Sequence, residues 1–153
     1  MVAMWTSLLV TSFLASVVTA RKSRDVERAE AGLSLNDKVQ QLLDLSQRRV
    51  VVKLTSKTFK ELVKTPPKNY SVIAMFTALH SSRGCSICKQ ASEEFQLLAN
   101  SYRYSPFYSS KLFFAMVDFD EGSEAFQSMN LNSAPAFLHF PPKGKPKKQD
   151  ILD

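Results

Sequence analysis

The chain contains very little cysteine: only two of its 153 residues, Cys85 and Cys88. Small secreted domains that depend on disulfides for stability usually carry several, so a disulfide scaffold is excluded and the core must rest on apolar burial. Histidine is equally scarce. Only His80 and His139 could complete a zinc site with the two thiolates, and His139 lies far along the chain. We therefore predict no metal and no cofactor, with half of a zinc site as the alternative.

Long hydrophobic runs are missing after residue 20. Residues 1–20 carry no charged side chain, contain an apolar stretch over residues 8–15 and end in small residues before Arg21 and Lys22. This pattern is typical of a secretory signal peptide; a signal anchor is the alternative, although the apolar stretch is short for a membrane span. We expect no transmembrane helix after the signal, no membrane contact from this chain, and a mature protein in an oxidising lumen.

The central part of the chain also lacks an excess of charge of either sign. The formal net charge is +6, but residues 25–142 hold 13 basic and 12 acidic side chains. The excess lies at residues 21–24 and 143–148, where no aromatic residue is interleaved with the lysines and arginines. Solvated segments explain this distribution better than a nucleic-acid surface does, so we expect no nucleic acid among the partners.

Apolar runs and helical patterns alternate after residue 33, which predicts an α/β fold with a central sheet. Residues 21–33 predict a flexible charged leader, and residues 34–153 a single domain. Predicted strands cover residues 50–54, 71–78, 112–118 and 136–140. Predicted helices begin at the N-cap Ser34, surround Phe59, follow the cysteines, and cover residues 123–129.

The two cysteines stand as Cys85-Ser86-Ile87-Cys88 between a strand pattern and a helix pattern. This placement predicts Cys85 at a helix N-terminus, where unpaired N–H groups and the positive end of the helix dipole favour a thiolate. Our hypothesis is a dithiol–disulfide switch in which Cys85 is the exposed nucleophile and Cys88 the buried resolving thiol. A purely structural disulfide is the alternative, although so short a loop constrains the unfolded chain little.

This order of elements, with cysteines after the second strand and Ala134-Pro135 just before a later strand, resembles the thioredoxin fold. The resemblance implies a central mixed sheet flanked by helices. It also implies that the peptide bond before Pro135 is cis and that Ala134 and Pro135 face the disulfide and hold substrate backbone. An ordinary trans turn proline is the alternative for Pro135.

Longer sequence motifs narrow the resemblance to one family within the thioredoxin fold. They lie at residues 66–71, 75–79, 88–91, 98–101, 114–122 and 132–135. Over roughly residues 34–150 the chain resembles the lumenal thioredoxin-like oxidoreductase subunits of eukaryotic oligosaccharyltransferase, whose animal members are also called magnesium transporter protein and tumour suppressor candidate. The resemblance implies a protein of the endoplasmic reticulum lumen that forms mixed disulfides with cysteine-containing nascent glycoproteins. Its other partner would be the catalytic subunit, which itself transfers the glycan. Asn69-Tyr70-Ser71 is an N-glycosylation sequon and agrees with this compartment.

The chain departs from that pattern at its end. Family members continue through a last strand, a C-terminal helix and four membrane spans, whereas this sequence stops at Asp153. We therefore expect a truncated chain whose thioredoxin-like domain is missing its last strand and helix. Two alternatives stay open, a free disulfide-isomerase-like protein and a non-functional truncated form. Magnesium transport has no support, because a pore needs membrane spans.

Overall fold

The computed structural model describes residues 32–143 and the backbone of residues 151 and 152. The predicted signal peptide and residues 21–31 of the predicted leader lie outside the described residues. The elements in chain order are α1 (Leu35–Arg48), β1 (Val51–Lys53), α2 (Ser56–Phe59), β2 (Ser71–Thr77), α3 (Cys88–Arg103), β3 (Leu112–Asp118), α4 (Phe119–Ser128), β4 (Ala136–Phe140) and β5 (Ile151–Leu152). A π-helical turn over Lys60–Lys64 continues α2, and a 3-10 turn over Ser81–Arg83 precedes α3. Within the described ranges, no helix has the length and apolar character needed to cross a membrane.

The strands form one mixed sheet in the order β1-β3-β2-β4-β5. Strands β1, β3 and β2 run parallel, β4 runs antiparallel to β2, and β5 runs antiparallel to β4. This is the predicted thioredoxin-like α/β architecture, a mixed sheet flanked by helices. The prediction of a missing last strand needs a correction, because Ile151 and Leu152 pair with Leu138 and Phe137 as a two-residue strand. Two apolar residues after a lysine-rich stretch are too few to show the period of two that reveals a strand.

Alternating side chains of the central strands build a core on each face of the sheet. Met75 and Phe114 face α3, where Phe95 and Ala99 are buried against them. The opposite face carries Phe76, whose ring packs edge-to-face against the rings of Phe59 in α2 and Phe126 in α4. Both faces of β2 are therefore covered, which agrees with its nearly continuous apolar sequence.

Helix α4 begins at Phe119, four residues earlier than the sequence predicts, and ends at Ser128 rather than residue 129. The side chain of Asp118 caps it by accepting a hydrogen bond from the Asp120 amide at 3.1 Å. Gly122 interrupts the helical dihedral angles, so the periodic pattern of apolar residues does not predict the first turn. A Cβ atom at Gly122 would lie 2.2 Å from Cγ1 of Val117, so the close approach of β3 requires glycine here.

Two lysines lie close together beside the loop that precedes β2. The ammonium group of the buried Lys38 donates to the carbonyl of Thr65 at 2.7 Å, and Nζ of Lys68 lies 5.8 Å from the centre of the Phe140 ring. Burial, with a smaller contribution from the charge of Lys38, lowers the pKa of Lys68 to about 8. Burial also lowers the pKa of Lys38, against the opposing attraction of Glu61.

We predict that the stability of the fold rises with pH above about 8. Unfolded Lys68 keeps its proton up to the ordinary lysine pKa of 10.5, whereas the folded protein releases it from about pH 8. The penalty for burying the charge therefore disappears as the pH rises through this window.

Urea unfolding at about pH 7 and pH 9.5 should show this gain in the free energy of unfolding, and Lys68→Met should reduce it. The control Lys57→Met, at an exposed lysine of α2, should keep the gain; equal gains in both variants would contradict the prediction.

Candidate redox site

Cys85 and Cys88 are joined by a disulfide at the carboxyl end of β2, with their Cα atoms 5.4 Å apart. The two sulfur-bearing residues differ in exposure: Cys85 is partly exposed, whereas Cys88 is fully buried. Helix α3 begins with Cys88, and Ile87 is its N-cap. Cys85 thus lies just outside the helix rather than in its first turn. The N–H groups of a helix's first turn have no partner within the helix, and the loop that carries Cys85 joins α3 at this end.

The loop before β4 faces the disulfide, as the resemblance implies. The Ala134-Pro135 peptide bond is cis, and Sγ of Cys85 lies 3.6 Å from the carbonyl oxygen of Ala134. The antiparallel register that pairs Phe76 with Ala136 brings this loop to the end of β2. The structure therefore brings together four of the five site residues that the sequence predicts. A second cis peptide, Pro66-Pro67, was not predicted and lies in the loop before β2.

The fifth predicted site residue, Asn69, lies away from the other four. It is exposed two residues before β2, at the amino end of that strand, whereas the disulfide follows the carboxyl end. The next residue, Tyr70, is buried and its hydroxyl donates to the carbonyl of Leu62. Burial raises the pKa of Tyr70 to about 12. Asn69 is thus a surface position beside an anchored tyrosine and takes no part in the redox site.

Sequence reasoning missed the residues that hold the loop in front of Cys85. Oδ2 of Asp118 accepts a hydrogen bond from the amide of Leu79 at 2.9 Å. Arg83 forms an ion pair with Asp120 and places its guanidinium carbon 4.7 Å from the centre of the Phe119 ring. A helix cap was detectable at Asp118, which stands between a strand pattern and an acidic first turn. The pairing of Arg83 with Asp120 across 37 residues has no local signal.

The segment that carries the disulfide exposes two apolar side chains. Ile87, between the cysteines, is 58% exposed, and Leu79 is 39% exposed. Such side chains suit contact with an unfolded, partly apolar peptide. Within residues 32–143, no three histidine, cysteine or acidic side chains converge to hold a metal ion. The arrangement is suited to thiol–disulfide exchange at Cys85, the more accessible sulfur.

We predict that Cys85 is alkylated before Cys88 once the disulfide is reduced. Access and thiolate fraction control the rate, and only the side chain of Cys85 reaches solvent. A short pulse of iodoacetamide followed by peptide mass mapping should find the label mainly on Cys85. In denaturant, where burial no longer protects Cys88, the two should be labelled similarly. Preferential labelling of Cys88 in the folded protein would contradict the assignment.

Comparison with known proteins identifies relatives of the chain. The family described as OST3 / OST6 family, transporter family matches residues 40–153. The chain is 50% identical over 147 residues to the dolichyl-diphosphooligosaccharide–protein glycosyltransferase subunit MAGT1 of Mus musculus, covering 96% of this chain and 42% of that protein. It is 31% identical over 93 residues to subunit 3 of the same transferase from Schizosaccharomyces pombe, covering 61% and 30%. The chain thus spans less than half the length of these curated relatives.

Among solved structures, a thioredoxin from Malassezia sympodialis is 24% identical, with a TM-score of 0.49, and the match covers 65% of this chain and 75% of that one.

Proposed function

This chain belongs to the OST3 / OST6 family, and from that membership we propose that it is a thiol–disulfide oxidoreductase that assists N-linked glycosylation as an accessory oligosaccharyltransferase subunit. One observation supports this function best: a partly exposed Cys85 is bonded to a buried Cys88 beside the carbonyl of Ala134. We place the protein in the endoplasmic reticulum lumen, since its relatives are named as subunits of the dolichyl-linked transferase. Glycan transfer itself belongs to the catalytic subunit.

The proposed reaction is a reversible exchange with a cysteine of a nascent glycoprotein. A client thiolate attacks Sγ of Cys85, the Cys85–Cys88 bond breaks, and Cys88 leaves as a thiolate. The client is now held by a mixed disulfide to Cys85. When the Cys88 thiolate attacks Cys85 in turn, the original disulfide forms again and the client leaves as a thiolate. No net oxidation occurs in this cycle. Its effect is to keep the client, and therefore its neighbouring sequons, close to the transferase for longer.

The surroundings of the disulfide support an extended peptide as the client. Ile87, between the cysteines, and Leu79, in the loop before them, offer exposed apolar side chains. We assign Ala134 and Pro135 to substrate binding, because their partly exposed loop lies against Cys85. Backbone polar groups of such a loop can bind a peptide without reading its side chains. This combination suits a protein whose clients share a cysteine and an unfolded state but no common sequence.

We predict that Cys88→Ser traps clients. The variant has no disulfide of its own, but its Cys85 thiolate can attack a disulfide of a client; one client sulfur then leaves as a thiolate and the other stays bonded to Cys85. Without Cys88 this mixed disulfide cannot be resolved from within, so adducts that added thiols release should accumulate in cells. Cys85→Ser, the matched control, should trap few. Non-reducing electrophoresis of the captured protein would reveal the adducts, and antibodies to the transferase subunits would test the association. Equal adducts in both variants would contradict the roles of the two cysteines, and adducts without transferase would favour a free isomerase-like protein.

We also propose that Asn69 carries an N-linked glycan. Its side chain is exposed in the loop before β2, where an oligosaccharide would meet no packed core. Asn69→Gln should abolish the mass that peptide N-glycosidase removes from the wild-type chain. Asn100→Gln, an exposed asparagine of α3 outside any sequon, should leave that mass unchanged. A wild-type chain from the secretory pathway with no removable glycan would refute the assignment.

A further inference from the structure

The loop between β2 and Cys85 is attached to the beginning of α4 at two points. At its start, the amide of Leu79 donates to Oδ2 of Asp118 at 2.9 Å. The other carboxylate oxygen of Asp118 caps α4 through the amide of Asp120. The parallel register pairs Thr77 with Asp118, which puts the end of β2 level with the end of β3. This attachment therefore fixes where the loop leaves the sheet.

The second attachment lies two residues before the nucleophile. Nε of Arg83 donates to Oδ1 of Asp120 at 3.0 Å, and Nη2 of Arg83 donates to the same oxygen. The guanidinium group also lies over the ring of Phe119, 4.7 Å from its centre, where the negative face of the ring attracts it. An arginine held by two hydrogen bonds and one ring keeps a defined direction, which a single charge contact would not give.

Only Gly84 separates Arg83 from Cys85. Its amide donates to the carbonyl of Ser81, which closes the 3-10 turn, and its φ of +66° turns the chain toward the cysteine. No atom lies within 4 Å of a Cβ built on Gly84, so glycine is needed for this dihedral angle and not for space. Fixing Arg83 therefore limits where Cys85 can lie.

We propose that Asp118, Phe119 and Asp120 form a clamp that holds the loop Leu79–Gly84 and thereby positions Cys85 for exchange with Cys88. The proposal rests on the proposed redox function of the two cysteines. Arg83 is the positioning residue through which the clamp acts. In the oxidised protein the disulfide already ties Cys85 to α3, so the clamp matters most in the dithiol, where it keeps the two sulfurs within reach of each other.

The clamp should therefore affect the equilibrium between the dithiol and disulfide forms of Cys85 and Cys88. Glutathione disulfide oxidises the dithiol: Cys85 and Cys88 lose two protons and two electrons, their S–S bond forms, and two molecules of glutathione are released. A loop that is free in the dithiol gains conformational entropy there, and the effective concentration of one sulfur at the other falls. Loss of the clamp should therefore lower the equilibrium constant for oxidation.

The test is a double-mutant cycle of Arg83→Gln and Asp120→Asn. Each variant removes one side of the ion pair, whose side chains are 45% and 35% exposed. Since exposed pairs are weak, each single variant should lower the constant by about two- to fivefold. The double variant should fall no further than Arg83→Gln alone, because that variant already removes both the ion pair and the contact with the Phe119 ring. Asp118 is left unchanged because its loss would also uncap α4. The matched control Glu94→Gln removes an exposed carboxylate from the helix of Cys88 and should leave the constant unchanged.

The measurement is the fraction of alkylation-resistant protein in a series of glutathione buffers, with the thermal midpoint of each oxidised variant recorded in parallel. Variants that lower the thermal midpoint but leave the equilibrium constant at the wild-type value would overturn the clamp. Additive losses in the double variant would also overturn it. A wild-type chain that does not exchange with glutathione would instead overturn the proposed redox function on which the clamp depends.

Discussion

The site depends on the central position of β2 between β3 and β4. Its pairing with β3 places Asp118 level with Thr77, and its pairing with β4 places Ala136 beside Phe76. The beginning of α4 and the cis-proline loop thus reach the end of β2 from opposite sides. The cysteine loop leaves β2 between them, so each neighbouring strand supplies one wall of the site. Ligands of α/β sheets commonly bind beyond the carboxyl ends of parallel strands, and the candidate redox site follows the same geometry.

The forces that hold the sheet differ in strength from those that hold the loop. A buried phenylalanine such as Phe76, with no exposed surface, contributes about 1.5–3 kcal/mol by leaving water. An exposed ion pair such as Arg83 with Asp120 contributes about 0.2–1 kcal/mol. The sheet can therefore stay folded while the loop changes its covalent state. A site built from weak contacts on a strongly packed frame suits the proposed opening and closing of the disulfide.

The sequence predicted the frame well because its signals are local. The bounds of β3 follow directly from one apolar run, and the pair Cys85 and Cys88 is visible from spacing alone. The resemblance to thioredoxin located Pro135. The contacts that shape the loop escaped prediction, since Arg83 and Asp120 meet only after β2 and β3 have paired. The first turn of α4 was not predicted because Gly122 interrupts the helical pattern. Strand β5 was not predicted because two residues are too few to show an alternating pattern. Local pattern thus predicts the elements, whereas the packing of distant residues completes the site.

The central claim is that oxidation and reduction of Cys85 and Cys88 act on a sheet that does not change. The most direct measurement compares two-dimensional ¹H–¹⁵N and cysteine ¹³Cβ spectra of the oxidised and reduced protein. We expect both cysteine signals to move between disulfide and thiol positions, with amide changes confined to residues 79–91 and 133–137 and the well-dispersed signals of β2 and β3 retained. Collapse of the dispersed signals on reduction would contradict the claim, as would cysteine signals that a dithiol reagent cannot move.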